Sequence, residues 1–171
     1  RTRPFDKLKL TCASPISTSV INLLDMTSKP NAMIVNIEET TTVTIIMNGV
    51  IEDVIKITDG MKDILEKISE SENSLAKAYE ICKNTTISTQ ETGVNESDEY
   101  LEVIMPTIYK IVNEVKRIEE GIVGKVDNIY LTGSGIAINN IDLYFQNYFE
   151  NVHCEMLKPS FLKTGSLKFP L

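Results

Sequence analysis

Apolar residues along this chain recur with two periods, and the switches between them mark its elements. Lys7-Leu8-Lys9-Leu10-Thr11-Cys12 alternates and predicts a short strand. Ile16, Val20, Leu23 and Leu24 then recur at helical spacing behind Ser14-Pro15, which predicts a helix over Ser17–Asp25. Ser28-Lys29-Pro30-Asn31 breaks it. Three β-branched runs follow: Met33–Ile37, Val43–Met47 and Val50–Ile57. Asn48-Gly49 joins the last two, and both residues accept positive φ, so the pair predicts a type I′ hairpin. Glu38–Thr42 joins the first two with two carboxylates and three hydroxyls. The expected product is a three-stranded meander.

After Asp59-Gly60 the period becomes helical. Met61, Ile64, Leu65 and Ile68 make one apolar face, Ser69–Asn73 is expected to break the helix, and Leu75, Ala78, Tyr79 and Cys82 form another. Asn84–Ser97 is nearly all polar and reads as a surface loop. Tyr100, Ile104, Ile108, Ile111, Val115, Ile118 and Ile122 hold one face of a long helix over Asp98–Glu120. Pro106 lies inside it and predicts either a kink or a start near Met105, while Gly121 and Gly124 close it. Asn128–Thr132 reads as a strand and Gly133-Ser134-Gly135 as a tight turn. Ile141, Phe145, Tyr148 and Phe149 line the inner side of a helix capped by Asn139 or Asn140, and Val152–Met156 is a last strand. Helices between strands imply parallel pairing, and the meander supplies an antiparallel edge. The predicted class is α/β, with helices on both faces of the sheet.

Composition narrows the function classes more than the fold. The 171 residues, 42% hydrophobic and 24% charged, suit a soluble globular protein with a sizeable core. A net charge of −7, from 24 acidic and 17 basic residues, argues against nucleic acid or an anionic membrane as partner. No apolar run approaches the roughly 20 residues of a membrane-spanning helix. Cys12, Cys82 and Cys154 lie far apart, and the single histidine, His153, adjoins Cys154. Two adjacent ligands do not make a zinc site, so buried or half-buried cytosolic thiols are expected. The chain begins at Arg1 without a leader pattern and is expected to be a piece of a longer cytoplasmic protein.

Two stretches carry candidate chemistry. The Asn36–Thr42 turn can aim backbone N–H groups and the hydroxyls of Thr40, Thr41 and Thr42 at an anion. Gly133-Ser134-Gly135, between a strand and a helix, lets a ligand approach backbone closely, and its plain alternative is a tight strand-to-helix turn. In this order the two resemble the second half of an actin-like ATPase, the ribonuclease H-like fold shared by actin, heat-shock chaperones and sugar kinases. There a DxGxxxT-type turn binds phosphates, matched here by Asn36-Ile37-Glu38-Glu39-Thr40-Thr41-Thr42. A Gly-rich turn borders adenosine, matched by Ile129-Tyr130-Leu131-Thr132-Gly133-Ser134-Gly135.

Further stretches narrow the likeness: the Ser17–Leu24 helix, Ala78-Tyr79-Glu80-Ile81-Cys82-Lys83, Arg117-Ile118-Glu119 and Leu157-Lys158-Pro159-Ser160-Phe161. With them the chain resembles the PilM-type assembly proteins of type IV pili and, next, the FtsA division proteins, over most of Lys7–Phe161. The resemblance implies an actin-like domain over 31–157, with the meander at 31–59, helices at 60–122 and a strand-helix-strand unit at 128–156. Residues 1–30 would enter from a missing N-terminal half, and 158–171 would be an irregular tail. It implies a bacterial cytoplasmic scaffold, peripheral to the inner membrane through the cytoplasmic tail of a PilN-like pilus protein and compatible with a homo-oligomer. The implied cofactor is ATP with Mg²⁺, contacted by Thr40, Thr41, Thr42, Gly60, Gly133, Ser134 and Gly135, with no catalytic residue or metal ligand assigned.

The same comparison exposes departures. The family aspartate falls on Asn36, the family glycine on Glu38, the middle glycine of the usual GGG on Ser134, and the first of a Gly-Gly pair on Asp59. A carboxylate about 4 Å from a phosphate charge costs about 4 kcal/mol at a protein surface. Three readings follow: a scaffold with a degenerate nucleotide site, a working ATPase in which Glu38 points outward, and an FtsA-like division protein. In all three the meander's first turn is expected to face Gly133–Gly135.

Overall fold

The computed structural model describes residues 24, 30–87 and 100–157. The strand expected over Lys7–Cys12, the expected helix over Ser17–Asp25 apart from Leu24, most of the polar loop and the tail lie outside the described residues.

Among the described residues five strands form one mixed sheet: β1 (Ala32–Ile37), β2 (Thr41–Met47), β3 (Val50–Ile57), β4 (Asn128–Thr132) and β5 (His153–Met156). Their spatial order is β3-β2-β1-β4-β5. The first three are the antiparallel meander, while β1 with β4 and β4 with β5 run parallel. Position explains composition. β1 is central and covered on both faces, so Ala32, Met33, Ile34, Val35 and Ile37 are all buried and the strand reads as nearly continuous apolar sequence. At the hairpin tip Asn48 and Gly49 take φ of 53° and 76°, the paired positive values a type I′ turn requires. The turn is tied back by Asn48 N–H donating to the Asn31 side chain at 2.7 Å and Gly49 N–H donating to the Pro30 carbonyl at 3.0 Å.

The helices are α1 (Met61–Glu72), α2 (Leu75–Asn84), α3 (Leu101–Glu120) and α4 (Ile141–Gln146). Ile64 and Ile68 of α1, Ile104, Ile108 and Ile111 of α3, and Phe145 of α4 join Met33, Val35, Ile37 and Leu131 in one core on one face of the sheet. On the other face Ile34 and Ile46 lie under Leu24, Tyr130 and Leu157. This mixed α/β sheet, with its meander and parallel strands, is the class the residue pattern predicts.

Several boundaries differ, each for a local reason. α1 runs through the break expected at Ser69. Ser69 and Ser71 turn their hydroxyls back onto the Glu66 and Ile68 carbonyls, both at 2.8 Å, and so satisfy them within the helix. The helix ends at Asn73, where φ is 53°, and the Ser74 hydroxyl caps α2 by accepting from Lys77 N–H at 3.3 Å. α2 extends to Asn84, and Thr85 and Ile87 beyond it are buried, so the start of the supposed polar loop belongs to the core. α3 begins at Leu101, not near Met105. Pro106 removes only a bond to the carbonyl of Glu102, and both residues face water. Asn140 occupies the α4 N-cap with φ 64°, but its side chain does not cap; its amide donates to the Ile87 carbonyl at 3.2 Å.

Cys82 and Cys154 are free thiols within the core, and no helix among the described residues is long and apolar enough to cross a membrane. Burial pushes the Cys82 thiol up to about 11 and Cys154 up to about 12, against an ordinary 9.0. Raised values mean their contribution to stability is full below the ordinary value and is lost as pH climbs through the folded ones. With Cys12→Ser removing the third thiol, a chromogenic disulfide reagent at pH 8 should react roughly a hundredfold more slowly with the native chain than with the chain in urea.

Candidate functional site

β1 and β4 run parallel with Asn36 level with Thr132, so the turns leaving their carboxyl ends emerge side by side. In open α/β sheets that end of the strands is where ligands bind. The Glu38–Thr40 turn therefore does face Gly133–Gly135, brought there by strand pairing alone.

The glycine turn lies close against the end of β1. Gly133 has φ 90° and ψ −174°, and a Cβ there would sit 2.5 Å from the Ile37 carbonyl oxygen and 2.8 Å from Asn36 Oδ1. Gly135 is buried, and a Cβ on it would lie 2.6 Å from Ile37 Cγ2. Both glycines are required by the approach of Ile37. Ser134, between them, projects toward the other turn: its hydroxyl donates to Glu38 Oε2 at 2.7 Å. Glu38 thus reaches across to Ser134 while remaining exposed to solvent. Its own N–H donates to the Thr40 carbonyl at 3.2 Å and closes the turn.

Of the three threonines, Thr41 is the one held from within. Thr41 is fully buried, and both its N–H (3.1 Å) and its hydroxyl (2.9 Å) donate to the Asp59 carbonyl. Thr40 and Thr42 are half-buried, Thr42 in register between Asn36 and Lys56. Gly60 is buried beneath the turn, where a Cβ would meet the Glu39 carbonyl oxygen at 2.4 Å. At the α1 N-terminus, where free N–H groups can meet an anion, the first two are taken up from within. Met61 N–H donates to the Glu38 carbonyl at 2.7 Å and Gly60 N–H to Asp63 Oδ2 at 2.9 Å.

Beside Glu38 and Ser134 opens a cavity of about 380 Å³ that the residue pattern did not reveal. Its floor is Met61, Leu65 and Leu75, and its rim is Glu38, Glu39, Glu66 and Lys62. Lys62 is paired with Glu66 at 3.7 Å, which leaves the rim net negative. The floor residues read in sequence as ordinary core positions of amphipathic helices; the one available signal was Leu75, apolar at a first helical position and here 60% exposed. Among the described residues no group of three His, Cys, Asp or Glu side chains could hold a metal ion.

No known family profile and no curated protein matches the chain. Solved structures do. A chain of the PilM-PilN type IV pilus biogenesis complex superposes with a TM-score of 0.62 at 19% identity, covering 81% of this chain and 41% of that one. The ethanolamine utilization protein EutJ from Carboxydothermus hydrogenoformans gives 0.58 at 17%, covering 81% and 48%. MreB 5 of Spiroplasma citri bound to AMPPNP gives 0.63 at 18%, covering 82% and 52%. The chain therefore has the actin-like fold, and it spans about half the length of the structures it resembles.

Two neighbouring substitutions differ in what they disturb. Gly133→Ala forces a side chain into a backbone region open essentially to glycine and should cost about 1–3 kcal/mol or more. Ser134→Ala, which removes a hydroxyl shared between Glu38 and the Ile37 carbonyl, should cost about 1 kcal/mol or less. Urea denaturation midpoints of the two variants measure the difference.

Proposed function

We propose that this chain is the second actin-like lobe of a PilM-like cytoplasmic scaffold of type IV pilus biogenesis. It would dock on the inner membrane through the cytoplasmic tail of a PilN-like protein, with its nucleotide site reduced to framework. The observation that supports a reduced site is the hydrogen bond from Ser134 to Glu38, which brings a carboxylate to the mouth between the two turns. Phosphates fit the surrounding residues poorly. Thr41 is committed to Asp59, the α1 N-terminus is committed to Glu38 and Asp63, and the glycine space is taken by Ile37. The pilus role draws on the likeness to the PilM-PilN complex together with the sequence stretches around Ala78–Lys83 and Arg117–Glu119. A homo-oligomer is compatible with it.

A second reading, an ATP-binding protein using Thr40, Thr41, Thr42, Gly60, Gly133, Ser134 and Gly135, is favoured by the likeness to MreB 5 bound to AMPPNP. An FtsA-like division role draws on the same fold and on no observation of its own. Calorimetric titration of the full-length protein with Mg-ATP separates the first two. The scaffold reading expects no binding in the submicromolar range, and tight binding with steady turnover would overturn it. Glu38→Gly should then raise ATP affinity by roughly tenfold or more, since removing a like charge about 4 Å from phosphate is worth up to about 4 kcal/mol. An unchanged affinity would favour the ATPase reading.

A further inference from the structure

The tip of the β2–β3 hairpin carries a reactive dipeptide. Of the chain's asparagines only Asn48 precedes a glycine. In such a pair the glycine's backbone nitrogen can attack the asparagine side-chain amide, because no Cβ on the glycine obstructs the approach. The Gly49 nitrogen gives up its proton and bonds to Asn48 Cγ, and the side-chain nitrogen leaves as ammonia with that proton. Water then opens the five-membered imide. Cleavage of the Cγ–N bond gives aspartate. Cleavage between the Asn48 backbone carbonyl carbon and the Gly49 nitrogen gives isoaspartate, in which the chain continues through the side chain. Water is the one co-reactant, and Asn48 is exposed to it.

The fold opposes the first step twice. Ring closure needs the Gly49 nitrogen on the same side of the Cα–C bond as the Asn48 Cβ. Asn48 and Gly49 have φ of 53° and 76°, the type I′ pair. The ψ of about +30° that belongs to the first central position of such a turn holds the nitrogen on the far side. The proton that must leave is also engaged, since Gly49 N–H donates to the Pro30 carbonyl at 3.0 Å. Beside it Asn48 N–H donates to Asn31 Oδ1, 17 residues back in the chain, at 2.7 Å. Pro30 and Asn31, at the entry to β1, thus form a clasp over the tip that exists only while β1 and β2 are paired.

We infer that Asn48 is a spontaneous deamidation site gated by this clasp. Closed, the tip keeps its amide; opened, it converts to aspartate and isoaspartate. The isoaspartate does not return. Its extra backbone methylene lies between Met47 and Val50, the pair that closes the hairpin, and makes the two-residue turn one atom too long for type I′ geometry. The modification therefore records local openings at the end of the meander opposite the Glu38 turn.

Incubation of the full chain in mildly alkaline buffer, native and in guanidinium, tests this. Peptide mass spectrometry locates each deamidated residue, and enzymatic methyl transfer counts isoaspartate. Asn48 should convert roughly tenfold or more slowly in the native chain than in the unfolded one. Asn31→Ala, which removes the acceptor of the Asn48 N–H, should raise the native rate by roughly threefold or more and leave the unfolded rate unchanged. Asn31→Asp keeps an Oδ1 acceptor and should stay within about twofold of wild type. Equal wild-type rates in the two states overturn the inference. So does a native Asn31→Ala rate equal to wild type, or an Asn31→Asp rate as high as that of Asn31→Ala. Where Asn31→Ala does not fold, the wild-type ratio of native to unfolded rates decides.

Discussion

Ile37 has to lie against the backbone that follows β4, and only glycine at 133 and 135 lets it. A Cβ at either position would come within 2.6 Å of Ile37 atoms. Parallel pairing of β1 with β4 sets this distance, and the buried Ile37 side chain closes the sheet's carboxyl end onto the core. The position of Glu38 follows as a consequence. With Ile37 pinned, the next residue emerges at the mouth between the turns, where its carboxylate is within reach of Ser134. One packing constraint thereby decides which residues form framework and which face the solvent.

That constraint marks how far the residue pattern could be read. The meander, the Asn48-Gly49 tip and the strand at Asn128–Thr132 were legible because local period and turn chemistry specify them within a few residues. The facing of the two turns was legible too, since it needs only the topology. What fills the space between them was not, because it depends on atoms far apart in the chain. Thr41 meets its acceptor 18 residues away, Ser134 meets Glu38 96 residues away, and a side chain at Gly60 would meet the turn at Glu39. The same limit explains Asn140, whose amide serves Ile87 across the fold and not its own helix.

Electrostatics at this end of the sheet points the same way as packing. An anion site needs unsatisfied donors held open toward solvent. Here the first donors of α1 are answered by the Glu38 carbonyl and Asp63, the Thr41 hydroxyl by Asp59, and the Ser134 hydroxyl by Glu38. Each bond alone is modest. Together they leave the mouth with acceptors and negative charge, and the adjoining cavity adds Glu39 to that rim.

The contrast with the β3 edge is one of self-satisfaction. At the turn pair the chain supplies its own acceptors, carboxylate included, and an incoming anion would have to displace them. Along β3 the first residues are treated likewise, with a register shift and the Asp53 side chain taking up the exposed backbone. Past Val54 that treatment stops, and apolar side chains beside the ion pairs of Lys110 with Asp59 and Arg117 with Glu114 take its place.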